Sequence, residues 1–430
     1  MHKILINSGV LLIDKLINAA YLFLLLIIMA SKYSQIDYGA YQYALTLGII
    51  IGILLQFSDE KVVKHLFHVK GPSSVIFSTV ILKLMLSFIA LSAYFLLKLF
   101  SLIDDLIAGY LLYFLLAGIL VNLPYAMMVY FDYRLNSKER AKAMIAGNTL
   151  TFLLQLYFIF NGYGVEHVAI SVLCGAFVTS AVILVIFIRL KVNFKVIVNR
   201  SQISSIFLRS IPFTLAAAAH MIYMRVDLLM IEYYMGHSSV AIYSVSTQLM
   251  SLVAILIYPL QVALFPQLLK DKDKGGDVYF EQFRNLTIIL TWVGVTLAVI
   301  GMLSIDPFVG YFFGDVYSPI NSFFYIHMMT AVILYNSALR SSHITLINKG
   351  YIILYSQIAS LALNIVLNYF LIPIYGLQGA AFSTFVTIIG SLLMSNYFFI
   401  HTKPIFWVQL KAFYPKNFKL IESLKRFGGY

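Results

Sequence analysis

Residues 208–233 read LRSIPFTLAAAAHMIYMRVDLLMIEY. The stretch is long and apolar enough for one membrane-spanning helix, which needs about 20 such residues. It nevertheless carries Arg225 and Asp227. A cation at the centre of a spanning helix costs roughly 2.5–3.5 kcal/mol on insertion scales, so such residues usually serve a function. Three more basic residues lie inside apolar segments: Lys15, Lys83 and Arg340. The clearly intramembrane acids are Asp14 and Asp227. This excess of positive charge points to a polar cavity that receives an anion.

The rest of the composition agrees with a spanning chain. Of 430 residues, 61% are hydrophobic and only 11% charged. An ordinary soluble protein is about 25% charged, so a soluble fold is excluded. The single cysteine, Cys174, allows no disulfide within the chain and is read as small-residue packing. Lys3, the apolar run after it and Met29-Ala30-Ser31 resemble a signal peptide. Asp14 and Lys15 interrupt that run, however, and it is long enough to span, so it reads as an uncleaved first helix.

Apolar windows of about 20 residues recur along the chain. They predict an all-α polytopic membrane protein of about twelve helices. The first six lie near 4–30, 39–57, 74–99, 106–131, 143–161 and 166–188. The second six lie near 208–233, 240–266, 286–304, 320–346, 350–372 and 378–400. With both termini cytoplasmic, 24 of the 30 Lys and Arg residues fall on the inner side and two, Lys32 and Lys98, on the outer. That is a strong positive-inside pattern. The formal net charge of +12 therefore reports topology and implies no nucleic-acid partner. The four cations named first are the remainder.

The predicted organisation is an N-terminal six-helix bundle over 1–195, a C-terminal one over 205–402 and a basic cytoplasmic tail over 403–430. The connection near Lys191 to Ser205 is the linker. The tail carries Trp407, Phe413 and Phe418. It reads either as an interfacial amphipathic helix or as a solvated segment. Short matches join the halves. Tyr163-Gly164-Val165 opens the sixth segment and Tyr375-Gly376-Leu377 the twelfth. Tyr38-Gly39-Ala40-Tyr41 and Val240-Ala241-Ile242-Tyr243 open the second and eighth. Matches six helices apart imply parallel repeats, with the substrate path at their interface.

Three motifs carry a family resemblance. One is Arg225-Val-Asp227 running to Gly236, followed by Ala241-Ile-Tyr-Ser-Val. The second is Asn364-Ile-Val-Leu-Asn368 continuing through Pro373, Tyr375 and Gly376 to Gly379-Ala-Ala. The third is Asp37-Tyr-Gly39-Ala-Tyr41. Together they resemble the Wzx-type O-antigen and capsule flippases, of the superfamily that contains the MATE exporters and the lipid II flippase MurJ. The resemblance implies a V-shaped, alternating-access fold of two six-helix bundles. It also implies an undecaprenyl-diphosphate-linked oligosaccharide as substrate, moved between leaflets of the bacterial cytoplasmic membrane for surface polysaccharide synthesis. A polysaccharide polymerase machinery is a possible partner, beside the lipid bilayer itself.

The residues fit that reading. A guanidinium fork holds phosphate oxygens bidentately, whereas a lysine is a point charge. Arg225 is the first candidate for substrate contact, with Lys15, Lys83 and Arg340 beside it. Lys83 either faces a cavity or pairs with Asp14. Arg340 either touches substrate or reaches for the interface. Asp227, Asp14 and His220 serve ion coupling, to H+ or Na+, or charge pairing. His327 reads as a packing histidine or a second proton site. No catalytic, cofactor or metal motif occurs, so the chain reads as a transporter that needs no cofactor. Two alternatives stay open. A MATE-type drug or cation antiporter should have an acidic cavity. A membrane glycan polymerase should have a large outer loop with catalytic charges.

Overall fold

Away from water only an intra-segment ladder satisfies the backbone, so the apolar windows become helices. The computed structural model describes residues 2–134, 137–190 and 198–414, with side chains from residue 17 on. Among these residues every regular element is helical. Two compact units result. One is Met1–Glu232 with His237–Ala241; the other is Tyr233–Gly236 with Ile242–Tyr430.

The first unit begins with α1 (His2–Lys32), α2 (Gln35–Gly52), a 3-10 turn over Ile53–Gln56, α3 (Glu60–Lys70) and α4 (Pro72–Leu99). It continues with α5 (Asp105–Asn122), α6 (Tyr125–Tyr133), α7 (Ser137–Phe160), α8 (Val165–Arg189), α9 (Arg200–Tyr223) and α10 (Val226–Met235), whose last three residues count with the second unit. Polar residues mark the helix starts. Ser34 accepts from the Asp37 amide, Asp59 from the Lys61 amide and Asp104 from the Ile107 amide, each satisfying an orphan donor of a first turn.

α7 and α8 cross with their backbones nearly touching. A Cβ on Gly147 would overlap Thr179 Oγ1 and stand 2.6 Å from the Gly175 carbonyl oxygen. A Cβ on Gly175 would overlap Thr151 Oγ1 and stand 2.6 Å from the Gly147 carbonyl oxygen. The crossing is therefore reciprocal, Gly147/Thr151 against Gly175/Thr179. Small residues of this kind let spanning helices approach where no hydrophobic force separates protein from lipid.

The second unit holds most of α11 (His237–Ala254), then α12 (Ile257–Asp273), α13 (Gly276–Phe312), a 3-10 segment Asp315–Ser322, α14 (Phe324–Asn336) and α15 (Arg340–Leu346). It ends with α16 (Tyr351–Ile388), a π-helical segment Ile389–Met394, α17 (Ser395–Phe398) and α18 (Lys403–Lys411). Its core gathers Leu268, Tyr279, Phe283 and Leu286 around Leu339 and Ile405. α18 buries Ile405, Phe406 and Gln409 and leaves Trp407 half exposed. The start of the tail is thus a docked helix, and residues 415–430 lie outside the described ones, as do 191–197 of the expected linker.

Among the described residues nine helical runs are long and apolar enough to cross a membrane, and the bent pair Asp315–Ser322 with Phe324–Leu346 adds a tenth. The run Tyr351–Phe398 is in fact two helices joined at Gly376. With α1, the chain makes about twelve crossings and is a multi-pass membrane protein. The join explains the glycines of the Pro373–Gly379 motif. Gly376 has φ +58°, a left-handed value that only glycine adopts freely. A Cβ on Gly379 would stand 2.6 Å from the Leu371 carbonyl carbon across the turn.

The helices differ from the apolar windows at their ends and in their breaks. α13 runs from Gly276 to Phe312 and takes in residues read as inner and outer loop. The segment near 106–131 is divided at Leu123–Pro124 into α5 and α6. A proline has no amide hydrogen for the ladder, so the helix restarts after it.

Candidate functional site

The first unit forms a partly open cavity of about 500 Å³. Each wall is one face of a helix, read off at three- and four-residue steps. α2 contributes Tyr41, Leu45, Gly48, Ile49 and Gly52; α7 contributes Met144, Asn148, Thr151, Phe152 and Gln155. α8 adds Val172, Gly175, Ala176 and Thr179, and α5 adds Phe114, Ala117, Gly118, Val121 and Asn122. α1 closes one side with Asn18, Tyr21, Leu22 and Leu25, and Met221 of α9 reaches in. Tyr21 stacks on Phe152, with ring centroids 4.4 Å apart and planes 7° from parallel. Among the described residues no Asp, Glu, Lys, Arg or His lines this cavity.

At one end α2 unwinds. The 3-10 turn Ile53–Gln56 and the bend after it free two carbonyl groups that would otherwise close helical bonds. Both find partners from other helices, as buried backbone groups must. Thr214 Oγ1 of α9 donates to the Gln56 carbonyl at 3.0 Å, and Lys83 Nζ of α4 donates to the Leu55 carbonyl. Gln56 Nε2 in turn lies 3.3 Å from Met221 Sδ. Broken helices are tolerated at membrane depth only where they are buried in protein or line a cavity. Leu55 and Gln56 do line it.

Lys83 therefore stands behind the wall. Its side chain is 1% exposed. Besides the Leu55 carbonyl it reaches Asn122 Oδ1 at 3.2 Å and the Tyr125 ring at 4.6 Å from the centroid. Among the described residues no carboxylate pairs with it. The ammonium thus binds together the α2 break and the α5–α6 break, through two residues, Leu55 and Asn122, that face the cavity. Replacing Lys83 by Ala leaves the Leu55 carbonyl and Asn122 Oδ1 without this donor. We expect a loss of about 1–3 kcal/mol of stability, read as a lower thermal midpoint of the detergent-solubilised protein. Lys83→Met, which fills the space and removes the charge, should lose less. An unchanged midpoint in Lys83→Ala contradicts this role.

One helical turn beyond Met221 the chain breaks again, at Met224-Arg225 between α9 and α10. The segment read as a single span over 208–233 is thus two helices. Arg225 occupies the break. Its amide bonds the Ile222 carbonyl at 3.0 Å and its carbonyl accepts from Leu228 N at 3.1 Å. The guanidinium is half buried and, among the described residues, makes no ion pair and no side-chain hydrogen bond. Asp227 is 6% exposed in the first turn of α10, where the helix dipole favours a carboxylate. His220 is exposed on the last turn of α9, its ring 6.4 Å from that of Tyr223.

The other sequence candidates fall elsewhere. Arg340 begins α15 in the second unit and is 4% exposed. Its Nε donates to Asn396 Oδ1 at 2.8 Å, and Nη2 donates to Ser356 Oγ at 2.9 Å and Ser395 Oγ at 3.0 Å. Three neutral acceptors next to the π-helical segment use these donors, so the side chain stays buried instead of reaching for an interface. Asn396 passes the network to Gln409 of α18 at 2.8 Å. His327 is fully buried against Ser246 Oγ at 2.7 Å. The side chains of Asp14 and Lys15 lie outside the described residues.

Of the three described intramembrane cations, Arg225 alone keeps its donors unspent. Sequence reasoning missed the polar stripe of α7, Asn148, Thr151 and Gln155. Its signal was present: three polar residues at three- and four-residue steps inside an apolar window.

Known proteins agree with this architecture. The chain superposes on the lipid II flippase MurJ in an inward closed conformation with a TM-score of 0.74 and 13% identity, covering 99% of this chain and 93% of that one. An inward-facing multidrug resistance MATE family transporter of the MOP superfamily gives 0.68 and 15%, covering 93% and 98%. A MOP superfamily transporter from Pyrococcus furiosus, described with a binding pocket of reversed polarity, gives 0.52 and 14%, covering 99% and 94%. At these identities the likeness shows a shared fold. No curated protein sequence matches the chain. The model of one sequence family, described as polysaccharide biosynthesis protein, matches residues 34–322. That match spans well over half of the chain, and the protein therefore belongs to the polysaccharide biosynthesis protein family.

Proposed function

We propose that the protein is a flippase that moves an undecaprenyl-diphosphate-linked oligosaccharide from the inner to the outer leaflet of the bacterial cytoplasmic membrane, with both its termini in the cytoplasm. The observation that carries this reading is the unspent guanidinium of Arg225 in the break of an otherwise apolar span. A diphosphate is the lipid-linked group whose charge and planar oxygen pairs suit that fork. Lys15 is a second candidate for the same group. The bundles over 1–195 and 205–402 rock about the bound head group while the polyprenyl chain stays in lipid. An inside-negative potential favours moving an anion outward by about 2.3 kcal/mol per charge per 100 mV. A coupling ion, H+ or Na+, would act through Asp227, Asp14 or His220.

Membership of the polysaccharide biosynthesis family supports the cargo class. The absence of any carboxylate among the described cavity-lining residues speaks against an organic-cation antiporter. Expression in a strain that lacks its own polysaccharide flippase and makes a compatible glycan is expected to restore glycan at the cell surface, seen by whole-cell lectin or antibody labelling. Correctly inserted protein with no surface glycan across such strains contradicts the proposal.

A further inference from the structure

The cavity of the first unit has a chemistry that the diphosphate does not need. Gln155 is 4% exposed and lines the cavity, yet among the described residues its amide has no hydrogen-bond partner. Asn148, half-buried two turns earlier on the same face of α7, and the exposed Asn18 of α1 line the cavity as well. Three side-chain amides thus open onto one space whose other described walls are mostly apolar, and each has donors and an acceptor to offer a molecule that enters it.

We infer that this cavity is a subsite for an uncharged sugar ring of the cargo, held by Gln155 and Asn148 and set against the stacked rings of Tyr21 and Phe152. The inference rests on the flippase reading and adds to it the class of sugar. Each amide offers two donors and an acceptor, and each sugar hydroxyl offers both as well. A bare cation would use only the acceptors, and a carboxylate sugar would call for a basic partner that the described lining does not contain. The volume, about 500 Å³, is that of a small-molecule pocket and far exceeds the coordination shell of a single ion. The aromatic pair supplies an apolar surface for the C–H face of a pyranose.

The test has a binding arm and a transport arm. In the first, saturation-transfer NMR follows N,N′-diacetylchitobiose on the detergent-solubilised protein. Wild type is expected to bind it. Gln155→Leu, of similar size and without hydrogen bonds, should weaken binding at least tenfold, whereas Ser304→Ala, at an exposed position of α13, should bind as wild type does. In the second, proteoliposomes carry either undecaprenyl diphosphate linked to that disaccharide or undecaprenyl diphosphate linked to a glucuronic-acid disaccharide. Wild type is expected to move the neutral cargo faster, and Gln155→Leu to lose that preference.

No binding of the neutral disaccharide by wild type overturns the subsite. So does an unchanged affinity in Gln155→Leu. A Gln155→Leu protein that shifts the Na+ dependence of transport while keeping the neutral preference identifies a cation site and overturns it as well. Binding that behaves as expected in a protein that moves neither lipid leaves the subsite standing and removes the flippase reading, so the two failures are told apart.

Discussion

Replacing Arg225 by Gln is expected to slow flipping of an undecaprenyl-diphosphate-linked oligosaccharide by about ten- to a hundredfold. The size follows from the bond lost. A hydrogen bond to a charged group contributes about 1.5–3 kcal/mol, and each 1.4 kcal/mol is a factor of ten. Gln keeps some of the length and polarity and loses the charge and the fork. Arg225→Lys keeps the charge alone and should fall between Gln and wild type. Folding should be nearly unaffected, because the guanidinium makes no side-chain bond among the described residues and the backbone of the α9–α10 break is bonded through main-chain atoms. The measurement is the flipping rate per correctly folded protein, with the thermal midpoint as control. Wild-type rates in Arg225→Gln would remove the guanidinium from the site.

The largest effect on stability is expected at the α7–α8 crossing. Gly147→Val places a branched side chain where Thr179 Oγ1 and the Gly175 carbonyl already stand. A rotamer change moves the hydroxyl but not the carbonyl, so the helices must separate. Overpacking of a tight core costs about 1–3 kcal/mol and occasionally more. Here the cost should reach the upper end, since Tyr21, Thr151, Phe152 and Thr179 would shift together around the cavity. Gly147→Ala should be milder, and adding Thr179→Ala should rescue it only in part, because the 2.6 Å approach to the Gly175 carbonyl remains. Yield of monodisperse protein and its thermal midpoint report both effects. Full rescue by Thr179→Ala would show that the hydroxyl alone sets the spacing.

Much of this was legible in the sequence. The apolar windows and the partition of Lys and Arg gave about twelve spans, and the Pro373–Gly379 motif marked the turn that the structure places at Gly376. Arg225 stood out because its cost inside a span demanded a reason. The breaks were not legible. Ile53–Gln56 is as apolar as the helix before it, and no glycine or proline lies near Met224-Arg225. For that reason the partners of Lys83 were hidden as well. The Leu55 carbonyl becomes an acceptor only where the ladder opens, and no residue type announces it. Arg340 was hard for another reason. A buried cation is expected beside a carboxylate, whereas its acceptors are Ser356, Ser395 and Asn396, brought together by folding from distant helices. Asn148 and Gln155 were visible as a helical stripe, but their meaning depends on a cavity that one helix does not reveal.

The flippase reading is tested most directly in proteoliposomes with fluorescently tagged undecaprenyl-diphosphate-linked oligosaccharide in both leaflets, where an impermeant quencher reports how fast the inner pool reaches the outside. Wild-type protein is expected to expose that pool far faster than protein-free vesicles, and Arg225→Gln to lose most of the gain. Exposure by folded wild-type protein at the protein-free rate would contradict it.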